Sequence, residues 1–198
     1  MAIDRIDIDE INVIDEIDID EDLKFWDEST NVSSFINGNF KMKMEETIGV
    51  ADGIGGWAKK GINSGEYSRQ LGRNAELSIH KPKDQRNQIH PMEVLNEAYF
   101  NMKCQGSSTA CILTLMCDIV HAVNVGDNKF VVKRDGVVVY KSEIQQKGFN
   151  YPFRLGNGVK FDDPSVAQEI EVTVKIGDVL VMVQMDCSIM LTTLSWRN

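Results

Sequence analysis

The residues best arranged for chemistry are Gly49-Val50-Ala51-Asp52-Gly53-Ile54-Gly55-Gly56-Trp57. They put a carboxylate at the end of an apolar run and a glycine-rich turn directly behind it. Glycine reaches backbone conformations closed to other residues and lets the main chain approach a ligand closely. Asp52 offers carboxylate oxygens, and Gly53 offers an unobstructed carbonyl. Hard oxygens of this kind are the donors that Mg²⁺ and Mn²⁺ prefer. An ordinary strand-exit turn with a solvated Asp fits the same residues, and spacing alone does not choose between the two.

Other chemistries find less support. The cysteines are Cys104, Cys111, Cys117 and Cys187, with no C-x-x-C pair among them, so no zinc site is expected. Cys111 and Cys117 lie in apolar runs and are expected to be buried thiols. The formal net charge of −9 argues against a nucleic-acid surface, which needs clustered Lys and Arg. No apolar run is long enough to cross a bilayer, and the acidic N-terminus resembles neither a signal nor a transit peptide. A soluble intracellular protein, cytoplasmic and monomeric, is expected. Residues 1–22 mix Ile and Val loosely with Asp and Glu. Residues 1–34 are therefore expected to be an acidic, low-complexity, disordered leader, and 35–198 a folded domain. Those acids do not follow an EF-hand loop, which leaves a cation-binding leader a weak reading.

The elements that must position Asp52 follow from periodicity. Residues 40–54 read as a strand ending in the acidic turn. Residues 64–79 read as a helix, with Ser64 as N-cap and Tyr67, Leu71, Ala75 and Ile79 at helical spacing. Pro91 to Met102 reads as a second helix, with Val94, Leu95, Ala98 and Tyr99 on one face. From Ser107 onward, β-branched runs separated by short polar breaks predict strands. Asp135-Gly136 predicts a hairpin. Ile170, Val172, Val174 and Ile176 alternate before a turn at Gly177-Asp178. Helices early and antiparallel strands late predict an α+β domain with stacked sheets.

The stretch from Gly49 to Leu71 resembles the second motif of type 2C protein phosphatases, in the subgroup with plant organellar and yeast mitochondrial members. Further stretches match in the family's order. Gly106-Ser107-Ser108-Thr109-Ala110-Cys111 resembles its GSSTA strand, and Asn124-Val125-Gly126-Asp127 its N-x-G-D motif. Gln145-Gln146 with Phe149-Asn150-Tyr151-Pro152-Phe153-Arg154-Leu155 resembles its QQ…FN-x-P-x-x-L signature. Gly177-Asp178-Val179-Leu180-Val181 resembles the strand that leads into its late metal aspartate. The resemblance covers about residues 40–186. It implies two stacked antiparallel sheets flanked by helices, and two Mn²⁺ or Mg²⁺ ions that activate water against phosphoserine or phosphothreonine in a phosphoprotein. It assigns a metal-bridging carboxylate to Asp52, a carbonyl ligand to Gly53, and a third-metal contact to Asp127.

The same resemblance marks departures. The family's early Gly-Glu-Asp-Ala motif puts its Asp on Asn37, and Asp27-Glu28 lies too far upstream without a loop shift. The late motif is replaced around Met185-Asp186-Cys187, where Asp186 takes the metal position only with a one-residue slip. The family's phosphate-binding arginine has no counterpart, and its final Asp-Asn strand falls past Asn198, so a C-terminally incomplete sandwich is expected. The carboxylate count predicts activity that is weak or lost. An active phosphatase and a non-catalytic pseudophosphatase that binds a partner both remain open.

Overall fold

The computed structural model describes residues 34–36, 39–44, 47–80, 89–149, 151–158, 160–184 and 188–193. The leader expected over 1–34 lies outside them except for Ser34, and so do Asn37, Asp27-Glu28 and Asp186. The architecture is α+β, with antiparallel sheets.

The first sheet is built around β3 (Thr47–Gly53) and β4 (Ser107–Met116), which pair antiparallel. β2 (Asn39–Met44) flanks β3, and β1 (Ser34–Ile36) lies beyond it. On the other side β5 (Ile119–Val125) pairs with β4, and β11 (Gln168–Thr173) pairs with β5. The short β10 (Leu155–Gly156) pairs with the start of β4. The single strand expected over 40–54 is thus two strands, with Met44 opposite Thr47. No Gly, Pro or Asn marks that reversal. Its local sign is the pair of adjacent acids Glu45-Glu46, which interrupts the apolar alternation.

The second sheet has the order β13 (Ser188–Thr193), β12 (Val179–Gln184), β6 (Lys129–Arg134) and β7 (Val137–Lys141). Asp135 and Gly136 both have positive φ, 51° and 79°, as a two-residue hairpin turn requires. A small ribbon pairs β8 (Gln146–Gly148) with β9 (Tyr151–Pro152). The alternation expected through Ile176 ends earlier. Strand β11 stops at Thr173, and Ile176 is exposed in the turn that follows.

Among the described residues, both α-helices pack on the first sheet. Helix α1 spans Ser64–Ile79, the range read from the sequence, but its N-cap is Asn63 rather than Ser64: Asn63 Oδ1 accepts the Gly65 N–H at 3.0 Å. Helix α2 (Pro91–Phe100) ends short of Met102, where the Asn101 side chain donates to the Glu97 carbonyl at 2.7 Å. Tyr67, Leu71 and Ala75 of α1 and Val94, Leu95 and Ala98 of α2 bury against Ala51, Ala110, Ile112, Val123 and Val125. Strand β4 is buried at every position, so its other face is covered too, and β12 of the second sheet lies against β3. Each aliphatic side chain fully buried between the layers contributes roughly 1.5–3 kcal/mol. Cys111 sits in this interior as expected, and burial pushes its thiol pKa up. Cys117 does not. It is exposed in the β4–β5 turn, at φ 56°, because the apolar run ends with the strand at Met116. Among the described residues no helix is long and apolar enough to cross a membrane.

Candidate functional site

Asp52 ends strand β3, half-buried, opposite Asn39 on β2 and Thr109 on β4. Strand alternation puts Asp52 and Thr109 on the face of the sheet turned away from the helices, since Ala51 and Ala110 lie on the helix face. Gly53 is opposite Ser108, and the Ile54 N–H donates to the Ser107 carbonyl at 3.0 Å. A tight turn over Gly55–Lys60 follows. Its Trp57 indole N–H donates to Ser107 Oγ at 2.8 Å. The glycine-rich turn is therefore fastened to the start of β4 at two points.

Asp127 lies between β5 and β6, in the connection that joins the two sheets. The residues around it are tied together. The Asn124 amide donates to the Asn128 carbonyl at 3.0 Å, and Thr109 Oγ1 donates to Asn128 Oδ1 at 3.2 Å. Gln145 closes the loop from outside. Its N–H donates to the Gly126 carbonyl at 2.8 Å, its Oε1 accepts the Gly126 N–H at 3.3 Å, and its Nε2 donates to the Val166 carbonyl at 2.8 Å. Gly126 has φ 104°, and a Cβ there would lie 2.6 Å from Thr109 Cγ2 and 2.8 Å from the Phe153 carbonyl oxygen. Thr109 thus links the two loops: it faces Asp52 across the ladder and bonds the residue after Asp127.

The late strand reaches the same end. Val183 of β12 is opposite Lys129, two residues past Asp127. Asp186, expected just beyond, is outside the described residues, as is Asn37. In the described register it is Asn39 that stands opposite Asp52. Among the described residues no group of three or more His, Cys, Asp or Glu is placed to hold a metal ion. The Asp52 carboxylate and the Gly53 carbonyl fit Mn²⁺ or Mg²⁺ in kind, as hard oxygens, but not in number. No catalytic step follows from them alone.

Known proteins match along most of this framework. The chain is 41% identical over 145 residues to probable protein phosphatase 2C 80 of Arabidopsis thaliana, covering 73% of this chain and 35% of that protein. The chain belongs to the type 2C, or PPM, family of protein phosphatases. It spans about a third of the length of the two Arabidopsis relatives it matches. Among solved structures, the photosystem II phosphatase PBCP superposes with a TM-score of 0.64 at 24% identity, covering 82% of this chain and 61% of that one. The catalytic domain of the serine/threonine phosphatase PstP, solved in complex with two manganese ions, gives 0.52 at 11%, covering 77% and 72%. These two likenesses establish the fold. No protein-family model matches the chain.

Within this 2C-type fold, three polar residues carry roles that their types did not announce. Gln145 serves as the clamp on Gly126, so this part of the QQ…FN-x-P stretch is loop packing. Trp57 is the fastener of the Asp52 turn. Asp178, read as a turn residue, is fully buried and takes a two-pronged ion pair from Arg134, with Nε and Nη2 each 2.7 Å from one carboxylate oxygen. The Lys175 N–H adds a third bond at 2.8 Å. The Arg134 guanidinium holds the Asp178 carboxyl below the usual carboxylate range. Arg134 and Asp178 are far apart in sequence, so no local pattern could pair them.

Proposed function

We propose that the chain acts on phosphoserine and phosphothreonine in proteins, with the Asp52 carboxylate and the Gly53 carbonyl as ligands to Mn²⁺ or Mg²⁺. Asp127 would serve a weaker outer metal, and Asp186 would complete the inner set. The observation that carries this reading is the place of Asp52. It ends a central strand at the end of the molecule where the β5–β6 connection and the end of β12 also arrive. When bound, such metals supply Lewis acidity to water and to phosphoryl oxygens. This chain's own residues position. Ser107 holds the turn through Ile54 and Trp57, and the Thr109–Asn128 bond sets the Asp127 loop against the same ladder.

A second reading is a non-catalytic member of the family that binds a phosphoprotein without turning it over. The departures from the family's acidic motifs in the sequence, at Asn37 and around Met185-Asp186-Cys187, favour it. A Mn²⁺-dependent assay on a phosphothreonine peptide separates the two. Hydrolysis that chelator abolishes, and that falls about 100-fold in Asp52→Asn, supports the phosphatase. Phosphopeptide binding without turnover supports the second reading, and neither binding nor turnover rejects both.

A further inference from the structure

Beside the Asp52 turn, a strip of cations and aromatic rings runs across three loops. Lys60 Nζ lies 4.6 Å from the Trp57 ring centroid. Trp57 stacks on Phe161 at 5.6 Å between centroids, with 28° between the planes. The Arg154 guanidinium carbon is 5.5 Å from the Phe161 ring and 5.1 Å from that of Tyr151. Tyr151 and Lys60 are exposed, and Trp57, Arg154 and Phe161 are half-buried.

The strip is built rather than incidental. Trp57 is fixed by its bond to Ser107, and Gly156 stands opposite Ser107 in the ladder. Phe161 lies so close over Gly156 that a Cβ there would meet its ring at 2.6 Å. Rings and turn therefore share one rigid support, the first residues of β4. The nearby Asp162 does not neutralise the strip, since its carboxylate already pairs with Lys147 at 2.6 Å and accepts the Arg154 backbone N–H at 3.0 Å. Among the described residues, the Arg154 guanidinium and the Lys60 ammonium have ring contacts and no carboxylate partner. Contact with ring faces steadies a guanidinium and leaves its fork of donors for a planar carboxylate. In a chain of net charge −9, such a strip is a local reversal of sign.

We infer that the strip docks acidic residues flanking the phosphorylated residue of a protein substrate. The inference rests on the phosphoprotein reading above and adds a sequence preference to it. A peptide whose phosphate reaches the Asp52–Gly53 turn passes Trp57 first, then Arg154. Arg154 would fork an Asp or Glu side chain, Lys60 would attract a second, and the rings would carry the peptide's apolar stems.

The test is fluorescence anisotropy on the full chain with Mn²⁺, using two short labelled phosphothreonine peptides, one flanked by Asp and Glu and the other by Asn and Gln. The acidic peptide should bind about fivefold tighter, and added salt should shrink that advantage. The double variant Lys60→Gln/Arg154→Gln should erase the advantage while leaving affinity for the neutral peptide unchanged. Equal affinity for the two peptides, or an advantage that survives the double variant, overturns the inference. Hydrolysis of the same peptides is read separately. An acidic preference that depends on Arg154, found without turnover, supports the strip and counts against the phosphatase reading.

Discussion

Two loops at one end of the sandwich use similar residues in opposite ways. Around Gly126, Asn124 and Asn128 are buried, the Asn124 amide donating to the Asn128 carbonyl and the Asn128 amide to Asn124 Oδ1 and the Val125 carbonyl, while Gln145 bonds the N–H and the carbonyl of the glycine. Around Asp52, the turn is fastened from beneath by Ser107, while Asp52, Gly53 and Trp57 stay partly exposed and Gly55 and Gly56 are open. The first loop spends its polar groups on its own shape. The second leaves Asp52 and Gly53 only half-buried. Polar motif residues are therefore not all site residues, and burial with mutual hydrogen bonding is what separates the two kinds.

The sharpest way to break this comparison is Gly126→Ala. The added methyl meets a β-branched side chain and a backbone carbonyl, at a φ that L-residues disfavour. A loss of roughly 3 kcal/mol or more in urea unfolding is expected. A loss under about 1 kcal/mol would show that the Gly126 loop is not closed as described.

Next comes the other self-satisfied polar group, Asp178. Replacing it with Asn leaves the Arg134 charge without its partner, and should cost about 2 kcal/mol, or about 5 °C in Tm. The sign with pH follows from the lowered pKa of Asp178. Its contribution is complete above the unfolded carboxyl value of about 3.9 and is lost as pH falls through the lower folded value. Stability of the wild type should therefore drop more steeply than that of Asp178→Asn as pH falls below about 4. Parallel curves would remove Asp178 from the acid response.

Trp57→Phe probes the open loop. It deletes the indole bond to Ser107 while keeping a ring against Phe161. A stability loss of about 1 kcal/mol is expected. Phosphopeptide affinity should fall more than that loss explains, because the turn loses one of its two fasteners. Affinity unchanged within error would mean that Ile54 alone holds the turn.

Much of the frame was legible because it rests on local periodicity. The Tyr67–Leu71–Ala75 face, the Asp135-Gly136 hairpin and the strand-exit position of Asp52 each follow from a few neighbouring residues. What was hidden depends on distant partners. Gln145 reads as any surface amide until Gly126 and Val166 are brought to it, and Asp178 reads as a turn former until Arg134 arrives from another strand. The break between β2 and β3 was hidden for a different reason, since two adjacent acids are a weak signal beside Gly or Pro. For the candidate site, the motif order brought Asp52, Gly53 and the Asp127 loop to one end of the molecule. Asn37 and Asp186 fall outside the described residues, so the carboxylate count that decides catalysis rests on the assay of Asp52→Asn.

The smallest expected effect lies on the helix-covered face, and it tests the rule from the other side. Tyr67 is fully buried between α1 and the first sheet, and among the described residues its hydroxyl has no hydrogen-bond partner. Burial pushes its pKa up, as removal from water does to any phenol. If buried polar groups in this fold are kept for the bonds they make, this hydroxyl contributes nothing that Phe would lose. Tyr67→Phe removes the uncompensated desolvation and keeps the ring that packs with Leu71 and Leu95. Stability should be unchanged or higher by up to about 1 kcal/mol. A loss of more than about 1 kcal/mol would instead reveal a partner for the hydroxyl, an ordered water or a residue outside those described. Tyr67 would then belong with Asn124 and Gln145 among the polar groups that shape the fold.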